Sequence, residues 1–352
     1  MQILSRLPAS YQLSDNETGL DYQLKMRKII IVIFIFLVYE PVHGQLLPFN
    51  SEYLSNMFLI NPSFAGINGN TSVIFTSRIQ WSGIAGAPKM QTFGIDRRIN
   101  RKGIYDHTGK ITGKRNFLNS GKFACGAFLF NDINDPFRRT GIYVAGAYHR
   151  SVGTGKRQSM SIGFSVSLYQ LSIDERNFLP HDPEITITMN KETALTPNIS
   201  AGITYYSKNY FAGISVVHAL PVLVRSNRYE VGERIRPQLY IMTGYKFEFY
   251  RKYSIEPVLL LKNTPLQIDF STKITYNNRL GLTLMYQSDN SLVSLIGLNF
   301  NRYFIGYSFE YSFGEIRKYS DGSHQLIIGF QTGKKPNSNN KTNISLYSLS
   351  NQ

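Results

Sequence analysis

The chain has 352 residues, of which 13% are aromatic and 17% charged, against about a quarter charged in soluble globular domains, and its formal net charge is +15. A single cysteine, Cys125, excludes an internal disulfide and with it a small disulfide-stapled secreted fold. With no RNP, helix-turn-helix or zinc signature, the basic surplus does not point to nucleic acid.

The first feature in chain order is "IIIVIFIFLVY", residues 29–39, preceded by Met26-Arg27-Lys28 and followed by "EPVHGQ". A spanning helix needs about 20 apolar residues, so a shorter run after a basic start and before a small residue predicts a signal peptide over 26–44, cleaved after Gly44. Its natural start is Met26, which makes residues 1–25 an over-long start. Removing 1–44 leaves the net charge of +15 unchanged. No cysteine follows the cleavage point, which disfavours a lipid anchor. Periplasm, outer membrane and exterior remain as destinations.

Residues 45–69 form an N-terminal segment ahead of the first strand, with a turn or two of helix over 52–58. "LINPSFAGINGN" (59–70) and "QWSGIAGAPKMQTFGID" (80–96) mix apolar, aromatic, Gly and Pro residues, but offer no set of catalytic or metal-ligating groups.

From residue 70 onward the dominant period is two. In "SIGFSVSLY" (161–169), Ile162, Phe164, Val166 and Leu168 share one side of a strand, opposite Ser161, Gly163, Ser165 and Ser167. "QIDFSTKITY" (267–276) and "RYFIGYSFEY" (302–311) repeat the pattern. Turn chemistry separates the runs at "NDINDP", "VGTGKRQ", "SKN", "NNR", "SDNS" and "NR". Loops this short join only antiparallel neighbours. Longer connections are expected over 100–122, 178–197 and 221–237.

Alternating strands fit a soluble sandwich or propeller as well as a transmembrane barrel. The aromatics decide between them: Tyr148, Tyr169, Tyr205, Tyr206, Tyr276, Tyr286, Tyr303 and Tyr311 cluster at strand ends on the apolar face, as girdles at two lipid interfaces would. The opposite faces, rich in Ser, Thr, Gly, Asn and charge, are too polar for a dry core and suit a lumen. The segments are close to the 9–11 residues, roughly, that a tilted strand needs to cross a membrane. The reading is therefore all-β, an antiparallel up-and-down transmembrane β-barrel of roughly fourteen strands over 70–332, with a polar tail over 333–352.

No motif for chemistry survives inspection. "GKITGKR" (109–115) and "GTGKR" (153–157) miss the phosphate-loop pattern and sit between strands. His107, His149, His181, His218 and His324 show no metal-ligand spacing. A serine triad can assemble across space, and a lipid hydrolase using a Ser near His218 or His324 is the weakest of the readings kept. Cys125 reads as a small wall residue, and Trp81 as an interface anchor or packed aromatic. The basic stretches "DRRINRKG" (96–103) and "FRRTG" (137–141) read as solvated loops before docking patches.

"INPSFAG" (60–66) resembles the N-terminal "INPAYAG" signature of the PorP/SprF family, outer-membrane barrel proteins of the type IX secretion system of Bacteroidota. "RIQWSGIAGAPKMQTFGID" (78–96) is similar to that family's R-x-Q-W-x-G-x-x-G-A-P-K-T-Q-T block, and "TYYSKNYFAGISV" (204–216) to its central hairpin. "TPLQIDFSTKITYNNRLGLTLMYQ" and "FIGYSFEYSFGEIRKYSDGSHQLIIGF" resemble its closing strands with their G-S-H-E-I element. Met90 departs from the family's Thr, Gln325 from its Glu, and the tail continues past Phe330, where barrels often end on an aromatic. The resemblance implies no catalysis, no cofactor and no metal. It implies an outer-membrane component that supports export or surface anchoring of large adhesins with a C-terminal sorting domain, gliding motility, and contact with periplasmic and outer-membrane secretion components and with outer-membrane lipids. Carried onto this chain, the family positions are Asn61, Pro62, Gly66, Gln80, Trp81, Gly83, Gly86, Pro88, Gly322, Ser323 and His324, expected to be architecture or a protein-docking surface. The alternative, suggested by the polar strand faces, is an outer-membrane channel for small solutes.

Overall fold

Each long strand carries its apolar residues on the outside. Ile162 is 56% exposed where its neighbour Ser161 is 0%, and Phe270 is 50% exposed where Ser271 is 1%. That inversion of a soluble core is what a wall facing hydrocarbon requires. In the computed structural model the described residues are 52–99 and 122–332, apart from 136, 153–157, 175–190, 208, 225–232, 251 and 264. The expected signal peptide, over-long start and polar tail lie outside them, as do His107, His181 and both phosphate-loop-like stretches.

The strands, in chain order, are β1 (Thr71–Ile79), β2 (Lys89–Ile99), β3 (Lys122–Asn134), β4 (Phe137–Val152), β5 (Gln158–Asp174), β6 (Lys191–Ser207) and β7 (Tyr210–Val217). A small separate hairpin of β8 (Val222–Val224) and β9 (Glu233–Ile235) follows. Then come β10 (Gln238–Tyr245), β11 (Phe247–Phe249), β12 (Tyr253–Asn263), β13 (Leu266–Tyr276), β14 (Leu280–Gln287), β15 (Ser291–Phe300), β16 (Tyr303–Ser312) and β17 (Ser323–Thr332). Each wall strand pairs antiparallel with its neighbours. The ring closes where β1 meets β17, with Thr71 opposite Thr332 and Ile79 opposite His324. β10 and β11 run along β12 in one register, Gly244 opposite Val258 and Phe247 opposite Ile255, and so make a single stave. Counted that way, the wall has 14 strands, the expected architecture.

The barrel has two unlike ends. At the end where Thr71 and Thr332 meet, called the tail end below, the connections other than the one over 100–121 are short, as in the tight turn after β13. There Arg279 N–H donates to Tyr276 O at 3.0 Å, and Asn277 and Asn278 both have positive φ, the backbone of a type I′ turn. At the opposite, loop end lie residues 80–88, the β8–β9 hairpin and a 3₁₀ turn at Glu315–Lys318. β4, β5 and β6 are 16, 17 and 17 residues long, more than the roughly 9–11 a crossing needs. β7 stops at Val217, opposite Gln238 and one residue past Val216, which faces Ala201, so β5 and β6 rise beyond it at the loop end. The connection expected over 178–197 is accordingly shorter, because β6 already begins at Lys191 and Pro197 lies within it.

Aromatics ring the tail end on the outer wall. Phe123 and Tyr148 approach to 5.0 Å between centroids, Tyr253 and Tyr276 to 5.0 Å, and Tyr303 and Phe330 to 5.2 Å. Two tyrosines assigned to the girdles face the other way: Tyr169 and Tyr206 are buried in the lumen. The interior also holds Phe128, Phe130, Phe211, Met242, Leu260 and Met285, so it is less polar than alternation predicts. The reason is that the lumen is not a water channel but a packed space.

Candidate functional site

What fills the lumen is the segment before β1. Three short 3₁₀ turns, Glu52–Leu54, Met57–Leu59 and Pro62–Phe64, occupy the stretch expected to hold a turn or two of helix and continue past it. Residues 52–66 are buried throughout. Tyr53, Phe58, Leu59, Ile60, Phe64 and Ile67 supply the apolar surface, and the inward residues of the wall accept it. A segment this short, with three residues per turn and no extended hydrogen-bond ladder, has little stability of its own. Its seat determines its shape.

The seat is built around Asn61 and Pro62. The Asn61 side chain accepts from Ser63 N–H at 3.0 Å and caps the turn that Pro62 begins. Its amide donates to Thr204 Oγ1 at 3.2 Å and reaches the backbone oxygens of Ile203 and Ile214 at 3.4 Å. Ser63 shares a 2.6 Å hydrogen bond with Thr204, and Ser215 donates to Ile60 O. Thus Asn61 and Pro62, expected to be architecture or a docking surface, are wedged against β5, β6 and β7. Gly163 and Gly202 make room for it: a Cβ on either would overlap Ser63 and Pro62, or Asn61.

Toward the tail end the segment hangs on buried polar partners. His149 Nε2 faces Ala65 O at 2.7 Å; a carbonyl only accepts, so Nε2 carries the proton and Nδ1 is left as acceptor for Tyr206 OH, at 3.0 Å, and Arg98, at 3.2 Å. Arg98 also donates to Ile67 O at 3.0 Å, and Gly66 N–H donates to Asp96 at 2.8 Å. Tyr143 OH donates to Phe58 O at 2.8 Å. Buried backbone groups that no regular ladder satisfies are satisfied by the wall instead.

Glu52 anchors the other end. Its carboxylate accepts from Gln325 Nε2 at 2.7 Å and Thr76 Oγ1 at 3.1 Å. Burial pushes its pKa above the ordinary 4.5, and Arg78, then Thr76 and Thr92, oppose that shift. Arg78 itself pairs with Glu310 at 2.8 Å, both side chains nearly enclosed. Beyond this pair, at the loop end, opens a cavity of about 340 Å³ lined among others by Gln80, Trp81, Pro88, Asp132, Arg139 and Glu310.

Trp81, read from sequence as an interface anchor or packed aromatic, thus stands at the mouth. The loop 80–88 that carries it is tied to the start of β17: Trp81 N–H donates to Ser323 Oγ, Ser82 N–H to Gly322 O at 2.7 Å, and Asp321 N–H to Ser82 O at 2.7 Å. Gln80 N–H closes the loop on Pro88 O at 2.8 Å. Trp81, Gly83, Gly86 and Gly322 all have positive φ. His324 turns to the outer face, where Tyr307 OH meets its Nδ1 at 2.7 Å. The family positions therefore fall into two groups, Asn61, Pro62 and Gly66 in the plug, and Gln80, Trp81, Gly83, Gly86, Pro88, Gly322, Ser323 and His324 at the loop end.

Burial, and then Lys262, lower the pKa of His218 to about 4, at a small cavity it shares with Tyr240 and Gln267. Cys125 is a free, exposed wall residue. Among the described residues no group of three or more His, Cys, Asp or Glu side chains could hold a metal ion. Sequence reasoning missed the residues that make the seat, among them Glu52, Tyr143, His149, Thr204 and Ser215. The available signal was the loss of alternation in stretches such as "FACGAFLF", where residues on both faces of the strand are apolar.

The model of the family described as "Type IX secretion system membrane protein PorP/SprF" matches residues 42–330. Among curated proteins none matches. Solved structures similar to the chain include the Ralstonia pickettii toluene transporter TbuX, at 9% identity and a TM-score of 0.46, covering 85% of this chain and 99% of that one. A Pseudomonas aeruginosa FadL homologue is similar at 10% identity and a TM-score of 0.43, covering 82% and 94%.

Proposed function

The chain belongs to the PorP/SprF family of type IX secretion system membrane proteins, and from that premise we propose that it is a non-enzymatic outer-membrane component supporting secretion or surface anchoring of large adhesin-type clients, with a part in gliding motility. One observation carries the reading beyond the family: the signature residues serve a seated plug and a braced mouth, not a set of reacting groups. A stoppered barrel suits a scaffold that holds partners at the membrane. Its partners on this reading are secretion components of the periplasm and outer membrane, and a client with a C-terminal sorting domain.

The short connections at the tail end, that over 100–121 excepted, support placing that end in the periplasm, since outer-membrane barrels keep their short turns there. The loop end with Trp81 and the mouth cavity then faces outward. Affinity capture of the intact barrel from native outer membranes tests the proposal. Recovery of type IX components and an adhesin is the expected result; recovery of the folded barrel with neither overturns it. A small-solute channel, the alternative, requires residues 52–67 to leave the lumen, and bilayer conductance of the purified barrel separates the two.

A further inference from the structure

The two ends of the barrel differ in charge. Among the described residues, the exposed ionisable side chains at the tail end are Arg97, Lys122, Lys252, Arg279 and Arg302, against the carboxylate of Glu248. At the loop end Lys89, Arg138, Arg317 and Lys318 are balanced by Asp135, Asp289, Glu315 and Asp321. The surplus of positive charge on the described surface is therefore a collar at one end.

Four of the five collar cations stand beside an exposed aromatic. Lys122 precedes Phe123, Lys252 precedes Tyr253, Arg279 follows the turn from Tyr276, and Arg302 lies between Phe300 and Tyr303. Tyr250, in the same turn as Lys252, is 93% exposed. Aromatic rings settle at the level of lipid headgroups, and a basic side chain one or two residues further along reaches phosphate. The cations are also spread over the β2–β3, β12, β13–β14 and β15–β16 sectors of the wall. A surrounding leaflet meets an arc this long at every point, whereas a protein docked against one side of the wall would leave much of it unused.

We infer that this collar binds the anionic headgroups of glycerophospholipids in the leaflet at the tail end, and so fixes the depth and direction in which the barrel sits. The inference rests on the outer-membrane placement of the barrel, but not on the secretion role, so it can fail while that role stands. The electrostatic gain is short in range and weakens with salt, because it acts within a Debye length of the surface.

The test uses the purified full chain in nanodiscs of equal phosphatidylglycerol and phosphatidylcholine, with native mass spectrometry counting the lipids retained on release. The native barrel is expected to retain phosphatidylglycerol in preference. The variant K252Q/R279Q/R302Q is expected to lower that preference by about fivefold or more, the effect of basic side chains at a charged lipid surface. The variant K89Q/R138Q/R317Q removes the same charge from the loop end and is expected to leave the preference intact. Heat-modifiable gel mobility verifies that each barrel is folded, and R302Q alone, with a smaller loss, serves if the triple variant is not. Equal losses from both ends, or no preference in the native chain, would each overturn the inference. So would a tail-end variant that keeps its phosphatidylglycerol while losing capture of an acidic periplasmic protein, which would assign the collar to a protein partner.

Discussion

The backbone N–H of Trp81 donates to the hydroxyl of Ser323 across 3.2 Å and 242 residues of sequence. Two flanking backbone bonds, Ser82 to Gly322 and Asp321 to Ser82, complete a clamp that holds the loop 80–88 against the start of β17. Two motifs at opposite ends of the chain are thereby one piece of structure. Closing β1 on β17 brings them to the same mouth.

Removing one bond of three should loosen this clamp without undoing it. Ser323→Ala is expected to cost about 1 kcal/mol locally, the net worth of an ordinary hydrogen bond. Gly83→Ala is expected to cost more, because φ at Gly83 is +94° and the added Cβ would meet Asp321 Oδ2 at 3.0 Å. Trypsin cleavage after Lys89 in the reconstituted barrel reads the difference. It should rise modestly for the first variant and further for the second; equal protection of all three proteins would mean that the loop is held elsewhere.

Gly163 and Gly202 should control whether the plug can sit. A methyl at either position overlaps the backbone of Ser63 or the side chain of Asn61, neither a flexible tip with space to move into. Overpacking of this kind costs about 1–3 kcal/mol. Either Gly→Ala change should therefore raise conductance in planar bilayers, and deletion of residues 52–67 should raise it further. A Gly163→Ala barrel as tight as the native one would show that β5 does not limit the seat.

The wall was legible in the sequence and the plug was not, for one physical reason. A strand in a membrane wall must alternate, so Ile162, Phe270 and Tyr307 announce their side at every second residue. The plug has no period: its conformation is imposed by partners such as Thr204, Ser215 and His149, each far off in sequence on a different strand. The misplaced Tyr169 and Tyr206 follow from the same blind spot. An aromatic near a strand end reads as a girdle residue unless something inside the barrel is known to need it, and here Tyr206 holds the imidazole that supports Ala65. Even Asn61 and Pro62, visible as a motif, disclosed their seat only with the barrel closed around them.

On the lipid face, Ile162→Arg and Phe270→Arg should each destabilise the inserted barrel by about 2–4 kcal/mol if their sites lie near the bilayer midplane, with smaller costs nearer the interface. Urea titration of folding into vesicles measures this. Ile162→Leu, which keeps an apolar side chain outward, should stay within about 1.5 kcal/mol of the native chain. An arginine at either position that leaves the midpoint unchanged would mean that these residues do not face hydrocarbon.

The seating of the plug should depend on pH through Glu52. Burial raises its folded pKa above the ordinary 4.5, so the seated plug binds protons more tightly than a withdrawn one. The resulting stabilisation is fully present below the withdrawn value and is lost as pH rises through the folded value, which makes the seat weaker, not stronger, toward alkaline pH. Arg78 limits that loss but is shared with Glu310, to which it is bonded at 2.8 Å. Conductance of the native barrel should therefore fall as pH is lowered toward 4.5, the direction set by linkage. Glu52→Gln keeps an oxygen for the Gln325 amide and an amide for the Thr76 hydroxyl, while removing the buried charge. Its conductance should stay low and flat over the same range. A native barrel that opens on acidification, or a Gln variant that retains the native slope, would remove Glu52 from control of the plug.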